Sequence, residues 1–227
     1  MASVSTFYDL YKIIFRKDAG FRVPSDLPNR RVATTQGSSL HYFVHNFLID
    51  NQIKPETVDM LFLSEAQMFP LPLGAGQRDA FVAREPYISE AQARFPGELD
   101  FFSDPTLAAN TLNLITLDST LNQHWVHIAK ILQAFLRTEL FLKTNPQEVL
   151  QMLKGSEGME SDSLESRWSR SDHQVTLSQE LILNMENIAR WSIRNGLIDR
   201  QTIPNFVDLL SIDALESLKP EAVSVIH

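Results

Sequence analysis

The sequence predicts an α/β fold, because short apolar runs alternate along the chain with segments whose apolar residues recur at helical spacing. The alternation is clearest between residues 31 and 104, where strand candidates are followed by turns and then by helix candidates. Strands that alternate with helices form mainly parallel sheets, and the ligands of such sheets lie beyond the carboxyl ends of the strands. A mostly helical region follows, from residue 121 onward.

The strand candidates are short runs rich in β-branched and aromatic residues that end at turn residues. They cover residues 11–15, 31–35, 57–63, 80–83, 99–102 and 112–117. The helix candidates have apolar residues three and four positions apart, and they cover residues 40–49, 64–69, 86–94, 121–144, 177–195, 204–210 and 213–218. Gly196 is expected in the C′ position after the helix candidate 177–195, and the polar segment 155–163 is predicted as a mobile loop.

Charge and composition exclude several classes of function. The chain carries 20 basic and 28 acidic side chains, and this net charge of −8 gives no broad basic surface for the phosphates of a nucleic acid. We therefore expect no nucleic-acid partner. A small anionic ligand is still compatible, since a helix N-terminus and one or two arginines can form a local positive site.

The sequence also lacks the motifs of common catalytic and targeting elements. Cysteine is absent, which excludes disulfides, thiolate metal sites and cysteine nucleophiles. No run approaches the roughly 18 apolar residues of a membrane span, and residues 1–6 lack the pattern of a signal peptide. No G-x-S-x-G, P-loop, H-E-x-x-H or dinucleotide-binding motif is present. We therefore expect a protein that is not an enzyme and that needs no cofactor.

The first candidate ligand site lies between a strand candidate and a helix candidate, at Gln36, Gly37, Ser38 and Ser39. Free backbone N–H groups and serine hydroxyls converge at a helix start, and glycine lets a ligand approach the backbone closely. This arrangement suits a sulfonate, phosphate, nitrate or carboxylate. The alternative is an ordinary N-cap, in which Ser38 or Ser39 satisfies the donors of its own helix.

A second candidate site follows the strand candidate at residues 80–83. Arg84 and Glu85 stand at its carboxyl end, directly before a helix candidate that begins with proline. Arg84 is suited to clamp an anion through two parallel hydrogen bonds, and Glu85 is suited to accept from an amine or a ring nitrogen. A surface ion pair or a hinge contact is the alternative.

Two pairs of histidines have spacings that are compatible with metal binding. His41 and His45 lie four residues apart on one helix candidate, and His124 and His127 lie three apart on another. Neither pair has a third ligand in a recognised motif, so packed or solvated imidazoles are the favoured interpretation. We expect no metal site.

Several segments resemble, in the same order, the solute-binding proteins of ABC importers for sulfonates, nitrate, taurine and thiamine precursors. The matching runs are YKIIFRKD (11–18), PSDLPNRRV (24–32), GSS (37–39), DAF with EPY (79–81 and 85–87), ARWSIRNGLID (189–199) and PNFVDLLSID (204–213). Asn29 stands where the family usually has glycine, and Arg84 stands where it usually has an aromatic residue.

The resemblance implies a type II periplasmic-binding-protein-like fold with two lobes. Here it implies one complete α/β lobe, hinge strands and the C-terminal helices of an incomplete lobe whose N-terminal part is missing. Residues 1–30 would form the hinge-crossing strand and connector, residues 31–115 the second lobe, and residues 116–227 the helical return to the first lobe. An incomplete lobe exposes strand edges and apolar surface, so self-association is also expected.

By the same resemblance, the chain would capture a small anionic or zwitterionic solute in a cleft between the lobes and deliver it to the permease subunits of an ABC importer. It would act in the periplasm or at the outer face of the membrane. Two alternatives stay open: an enzyme related to the thiamine pyrimidine-precursor synthases, and an interaction or sensory domain that pairs with another chain.

Overall fold

The computed structural model describes residues 2–64, 67, 78–107, 109–156, 164–165 and 168–226. The chain forms two compact units. Tyr8–Ala109 is the single-segment unit, and Met1–Phe7 together with Asn110–His227 is the two-segment unit. The expected boundaries at residues 30 and 115 therefore differ from those in the structure, because the segment before residue 30 contributes a strand to each unit.

The described strands are β1 (Ala2–Phe7), β2 (Lys12–Arg16), β3 (Arg31–Thr34), β4 (Asp59–Phe62), β5 (Ala80–Ala83), β6 (Leu99–Phe102), β7 (Asn110–Leu114) and β8 (Ser171–Asp172). The α-helices with described bounds are α1 (Ser39–Asp50), α2 (Tyr87–Arg94), α3 (Asp118–Thr144), α4 (Pro146–Ser156), α5 (Gln179–Arg194) and α6 (Asp213–Glu216). Most agree with the sequence expectations within a few residues. The predicted strand at residues 57–63 begins two residues late, since Pro55–Thr57 forms a 3-10 turn.

The single-segment unit contains a five-stranded sheet with the order β4-β3-β5-β2-β6. Strand β3 runs parallel to β4 and β5, as the alternation of strands and helices predicted. Strand β2 lies antiparallel between β5 and β6, which the local pattern did not reveal. A continuous apolar core forms in this unit from sheet residues and the buried face of α1: Leu40, Phe43, Val44, Phe47 and Leu48.

Two motif residues of this unit have structural roles. The carboxylate of Asp79 accepts a hydrogen bond of 2.8 Å from the backbone N–H of Arg31, which joins the starts of β5 and β3. Asn29, which replaces the usual glycine, has a φ of +62°. Asparagine is among the few non-glycine residues that adopt this left-handed conformation readily, so the turn before β3 keeps its geometry.

The two-segment unit contains a three-stranded sheet with the order β7-β1-β8. Strand β1 was not predicted from the sequence. It pairs antiparallel with β7, with Ala2 opposite Leu114 and Phe7 opposite Asn110. Helix α3 extends over 27 residues and is kinked at His124, whose φ of −127° is not helical. None of the described helices is both long and apolar enough to cross a membrane.

Helix α5 ends as the sequence predicted. Gly196 has a φ of +63°, and the N–H of Leu197 donates to the carbonyl of Ser192 at 2.9 Å. The N–H of Gly196 donates to the carbonyl of Ile193 at 3.1 Å. These two bonds form a Schellman motif, which satisfies carbonyl groups at the end of the helix. The predicted helix at 64–69 is described only at residues 64 and 67, and the predicted loop at 155–163 only at residues 155 and 156, which end α4.

A buried carboxylate links three segments of the two-segment unit. Glu139 on α3 is 6% exposed and accepts hydrogen bonds from Lys219 at 2.7 and 2.9 Å, from Lys143 at 2.9 Å and from the N–H of Val175 at 3.1 Å. Burial alone would raise the pKa of Glu139, but these hydrogen bonds together lower it. The hydrogen-bond partners of Glu139 therefore keep its buried carboxylate in the charged form.

Candidate functional site

The predicted site residues lie at one edge of the five-stranded sheet. The carboxyl ends of β3 and β5 meet there, because the two strands are parallel, with Ala33 opposite Phe81. Continuing that register places Gln36 level with Arg84. Strand β2 begins at the same edge, since Lys12 lies opposite Ala83. Three strands therefore bring residues from distant parts of the sequence to the edge where α/β sheets bind ligands.

The turn between β3 and α1 has the conformation of a helix start. Gly37 has a φ of +69°, and Ser38 occupies the N-cap position with an extended backbone. The hydroxyl of Ser38 donates to the carbonyl of Thr35 at 2.6 Å and accepts from the N–H of His41 at 3.4 Å. Ser38 therefore acts as an ordinary N-cap of its own helix, which was the alternative to a ligand contact. The side chains of Gln36 and Ser39 are exposed.

The buried side chain of His41 contacts this turn. Its Nδ1 atom accepts a hydrogen bond of 3.3 Å from the N–H of Gly37, and its ring packs edge-on against Phe62 at 4.9 Å between centroids. Burial lowers the pKa of His41, and the nearby charge of His45 lowers it further. A neutral imidazole acts as an acceptor here, so the histidine stabilises the turn in the state that it favours at neutral pH.

Tyr11 belongs to the site and was not identified from the sequence, where it was assigned only to a strand. Its side chain is 2% exposed, and the side chains of Ser39 and Arg84 lie near enough to influence its ionisation. Burial raises the pKa of Tyr11, although Ser39 and the positive charge of Arg84 act in the opposite direction. Tyr11, Ser39 and Arg84 therefore form one polar group at the start of α1, which we call the Tyr11 cluster.

Two threonine hydroxyls lie directly before the turn. The Oγ1 atoms of Thr34 and Thr35 are buried and have no hydrogen-bond partner within the described part of the chain. A buried polar atom without a partner costs about 1–3 kcal/mol. Both hydroxyls lie at the carboxyl end of β3, next to the Tyr11 cluster. They have unused hydrogen-bonding capacity there.

Glu85 is engaged in its own helix. Its carboxylate accepts hydrogen bonds from the N–H of Ser89 at 3.1 Å and from the Ser89 hydroxyl at 2.8 Å, in the first turn of α2. A carboxylate at this position satisfies free N–H donors and is stabilised by the helix dipole. Of the two neighbours predicted as ligand contacts, Arg84 lies in the Tyr11 cluster and Glu85 stabilises the start of α2.

The two histidine pairs differ in their surroundings: His41 is buried, whereas the side chains of His124 and His127 are exposed. Within the described part of the chain, no group of three or more histidine, aspartate or glutamate side chains is arranged to hold a metal ion. The rings of His124 and His127 contact each other edge to face, with centroids 5.8 Å apart, at the kink in α3.

The fold defines the class of protein. The structure is similar to the putative periplasmic sulfonate-binding protein SsuA from Methylobacillus flagellatus, with a TM-score of 0.72 and 13% identity over 99% of this chain and 72% of that one. It is also similar to the alkanesulfonate-binding protein SsuA from Xanthomonas axonopodis, bound to MOPS, with a TM-score of 0.66 and 16% identity over 89% and 71%. The chain therefore has the type II fold of the periplasmic binding proteins.

The family follows from the sequence. Residues 2–149 match the NMT1/THI5 like family, and this chain belongs to it. No curated protein matches the sequence significantly. An enzyme also shares the fold: the desulfurization enzyme DSZB has a TM-score of 0.61 and 10% identity, over 96% of this chain and 80% of its own. At this level of identity, the likeness to each of the solved structures concerns the fold alone.

Proposed function

We propose that this protein is the solute-binding component of an ABC importer and captures a small anionic or zwitterionic solute of the sulfonate type. The observation that carries the proposal is the meeting of the carboxyl ends of β3 and β5, which brings the N-terminus of α1 close to Arg84 and the Tyr11 cluster. Family membership and the sulfonate-binding relatives support it. Capture between two lobes, as the resemblance implies, stays a prediction of this proposal.

The chemistry of the cluster favours an anion. The positive end of the α1 dipole and the Arg84 guanidinium both attract negative charge, in a chain whose net charge is −8. The exposed side chains of Gln36 and Ser39 add hydrogen-bond donors. An oxygen-rich head group, such as a sulfonate, accepts from several of these donors at once.

The partners and the location follow from the same function. The solute would be handed to the permease subunits of the importer, and the protein would act in the periplasm or at the outer face of the membrane. No chemical step is part of this proposal. Solute capture requires differential affinity for a closed state, and not a nucleophile or a general base.

The proposal is tested by thermal unfolding in the presence of taurine, alkanesulfonates, nitrate, bicarbonate, phosphonates and thiamine precursors. A ligand that binds only the native state raises the melting temperature in a saturable manner. We expect such a shift with at least one sulfonate, and we expect Arg84→Ala to weaken binding about tenfold or more through the loss of a charge-assisted bond. Arg22→Ala, at an exposed arginine of the same unit, is the matched control.

Two results would contradict the proposal. The first is a folded protein whose melting temperature none of these solutes changes. The second is a shift that Arg84→Ala and Arg22→Ala reduce equally, because binding would then depend on general charge. Recovery of the bound solute after incubation separates capture from catalysis: a chemically altered solute, detected by mass spectrometry, would favour the enzyme alternative.

A further inference from the structure

One backbone donor at the start of α1 is occupied by a side chain of the same helix. The N–H of Gly37 donates to Nδ1 of His41 at 3.3 Å, in the turn that precedes the helix. Backbone N–H groups at a helix start are the donors that bind an anion. The availability of this donor therefore depends on the state of a histidine ring.

The hydrogen bond defines which nitrogen of His41 carries the proton. A nitrogen that accepts from an N–H presents its lone pair, so the proton of the neutral ring lies on Nε2. A second proton enters at Nδ1 and gives an imidazolium, in which both nitrogens are donors. The N–H of Gly37 and the Nδ1–H of His41 then face each other and cannot form a hydrogen bond. A single proton thus breaks this contact.

The surroundings of His41 favour the neutral ring at neutral pH. The side chain is 7% exposed, and its ring packs edge-on against the uncharged ring of Phe62 on β4. His45, one turn further along α1, opposes a positive charge on His41, and Glu56 acts in turn on His45. The turn itself, residues 36–39, contains no charged side chain. The ring therefore becomes charged only on the acidic side of neutrality.

We propose that His41 is a proton-dependent switch of the anion site: the neutral ring holds the N–H of Gly37, and the charged ring releases it and adds a positive charge next to the turn. The inference rests on the proposed function, because it concerns the same turn. Both changes favour an anion. Arg84, which follows β5, contributes its positive charge at either pH. The site therefore binds a sulfonate more tightly in acid than at neutral pH.

The direction of the change in affinity follows from proton linkage. A bound anion favours the charged ring, so it raises the pKa of His41 in the complex above that in the free protein. Affinity increases as the pH falls through the pKa of the complex, and it stops increasing below the pKa of the free protein. Each unit between the two pKa values corresponds to an about tenfold gain in affinity. A sulfonate suits the test because its own charge stays constant over this range.

Two measurements on the full chain test the switch between about pH 8 and about pH 5. The first follows the amide of Gly37 by NMR without solute, and loss of its hydrogen bond should move the proton resonance upfield. The second measures the Kd of ethanesulfonate by calorimetry, and we expect affinity to increase about threefold or more at the acidic end. His41→Gln, whose side-chain oxygen accepts at every pH, should abolish both changes. His45→Gln is the matched control on the same helix and should keep them.

The possible outcomes distinguish the switch from the proposed function. A Gly37 resonance that does not respond to pH, or that responds equally in His41→Gln, overturns the switch. An affinity that stays constant, or that increases equally in His41→Gln, overturns the gain in affinity, since general charge would then explain it. A responsive Gly37 amide with no binding of ethanesulfonate or of any other screened solute supports the proton-dependent bond and contradicts the proposed function. Circular dichroism at each pH confirms beforehand that every variant is folded.

Discussion

The two units bury their apolar residues to different extents. In the single-segment unit, the central strands β3 and β5 are buried over most of their length, and α1 covers the sheet with a continuous apolar face. In the two-segment unit, large apolar side chains lie exposed on and after β7 and along α3, among them Ile115, Leu117 and Val126. A buried charge cluster at Glu139 links its segments. Apolar packing thus dominates in one unit and a polar connection is prominent in the other.

The difference teaches how firmly each unit holds its parts. The well-packed unit contains the Tyr11 cluster, and a ligand site requires a defined geometry of this kind. The two-segment unit leaves more large apolar side chains uncovered by its own packing. The three tryptophans, Trp125, Trp168 and Trp191, all belong to the two-segment unit, so tryptophan fluorescence reports on that unit alone.

The largest effect is expected from Glu139→Ala, which tests the charge cluster of the two-segment unit. Removing the carboxylate leaves Lys219 and the N–H of Val175 without their partner, so the free energy of unfolding should fall by about 3–5 kcal/mol. Urea unfolding followed by tryptophan fluorescence measures this loss. Glu186→Ala breaks only the exposed pair with Arg190 and should cost less than about 1 kcal/mol. Equal losses in the two variants would contradict a special role for Glu139.

Leu48→Ala tests the core of the single-segment unit. Leu48 is fully buried on α1, so its truncation should lower the free energy of unfolding by about 2–5 kcal/mol. Hydrogen exchange of the α1 amides should detect the loss, while the tryptophan transition stays in place if the units unfold independently. Ile49→Ala, at a side chain 55% exposed, is the control. A tryptophan transition that moves by the same amount would mean that the two units unfold together.

Gly37→Ala and Gly196→Ala compare the same backbone conformation in the two units. Both glycines have positive φ values, +69° and +63°, and no atom lies within 4 Å of where a Cβ would stand. Each substitution should therefore cost about 1–2 kcal/mol, from backbone strain alone. Denaturant midpoints measure both losses. A much larger cost at Gly37 would indicate that the turn next to the Tyr11 cluster tolerates less adjustment than the end of α5.

The smallest effect on the free energy of unfolding is expected from a change in pH. Burial lowers the pKa of His41 and His45 in the single-segment unit and of His173 in the two-segment unit, although Glu56 opposes the shift at His45 and Asp172 opposes it at His173. A histidine with a lowered pKa in the folded state contributes stability above its unfolded pKa, about 6.5, and loses it as the pH falls below that value.

Denaturant midpoints measured above and below that pH check the direction of the effect. We expect both units to be less stable on the acidic side, and we expect His173→Gln to reduce the change seen by tryptophan fluorescence. His127→Gln, at an exposed ring, is the control for the same unit. Stability that rises as the pH falls through this window would contradict the burial of neutral imidazoles.

The residues that the sequence singled out and those that the structure brings together at the candidate site overlap in part. The turn at residues 36–39 and the position of Arg84 were evident from local sequence, because a strand, a glycine and a helix start are adjacent in the chain. Tyr11 was missed because its relation to Ser39 depends on where β2 enters the sheet, and the sequence around Tyr11 contains no sign of that partner. The role of Glu85 is also ambiguous in the sequence: a carboxylate before a helix suits a ligand and a helix start equally well, and in the structure it accepts from Ser89.

By itself, the sequence determined what depends on neighbouring residues: the apolar face of α1, the left-handed turn at Gly196, the family resemblance and the α/β class. Only the tertiary structure decided which strands pair, as when Ala2 meets Leu114 and β2 lies antiparallel between β5 and β6. The physical reason is that helix periodicity and turn conformation arise within a few residues. The choice of a strand partner arises from backbone hydrogen bonds and packing between residues far apart in the chain.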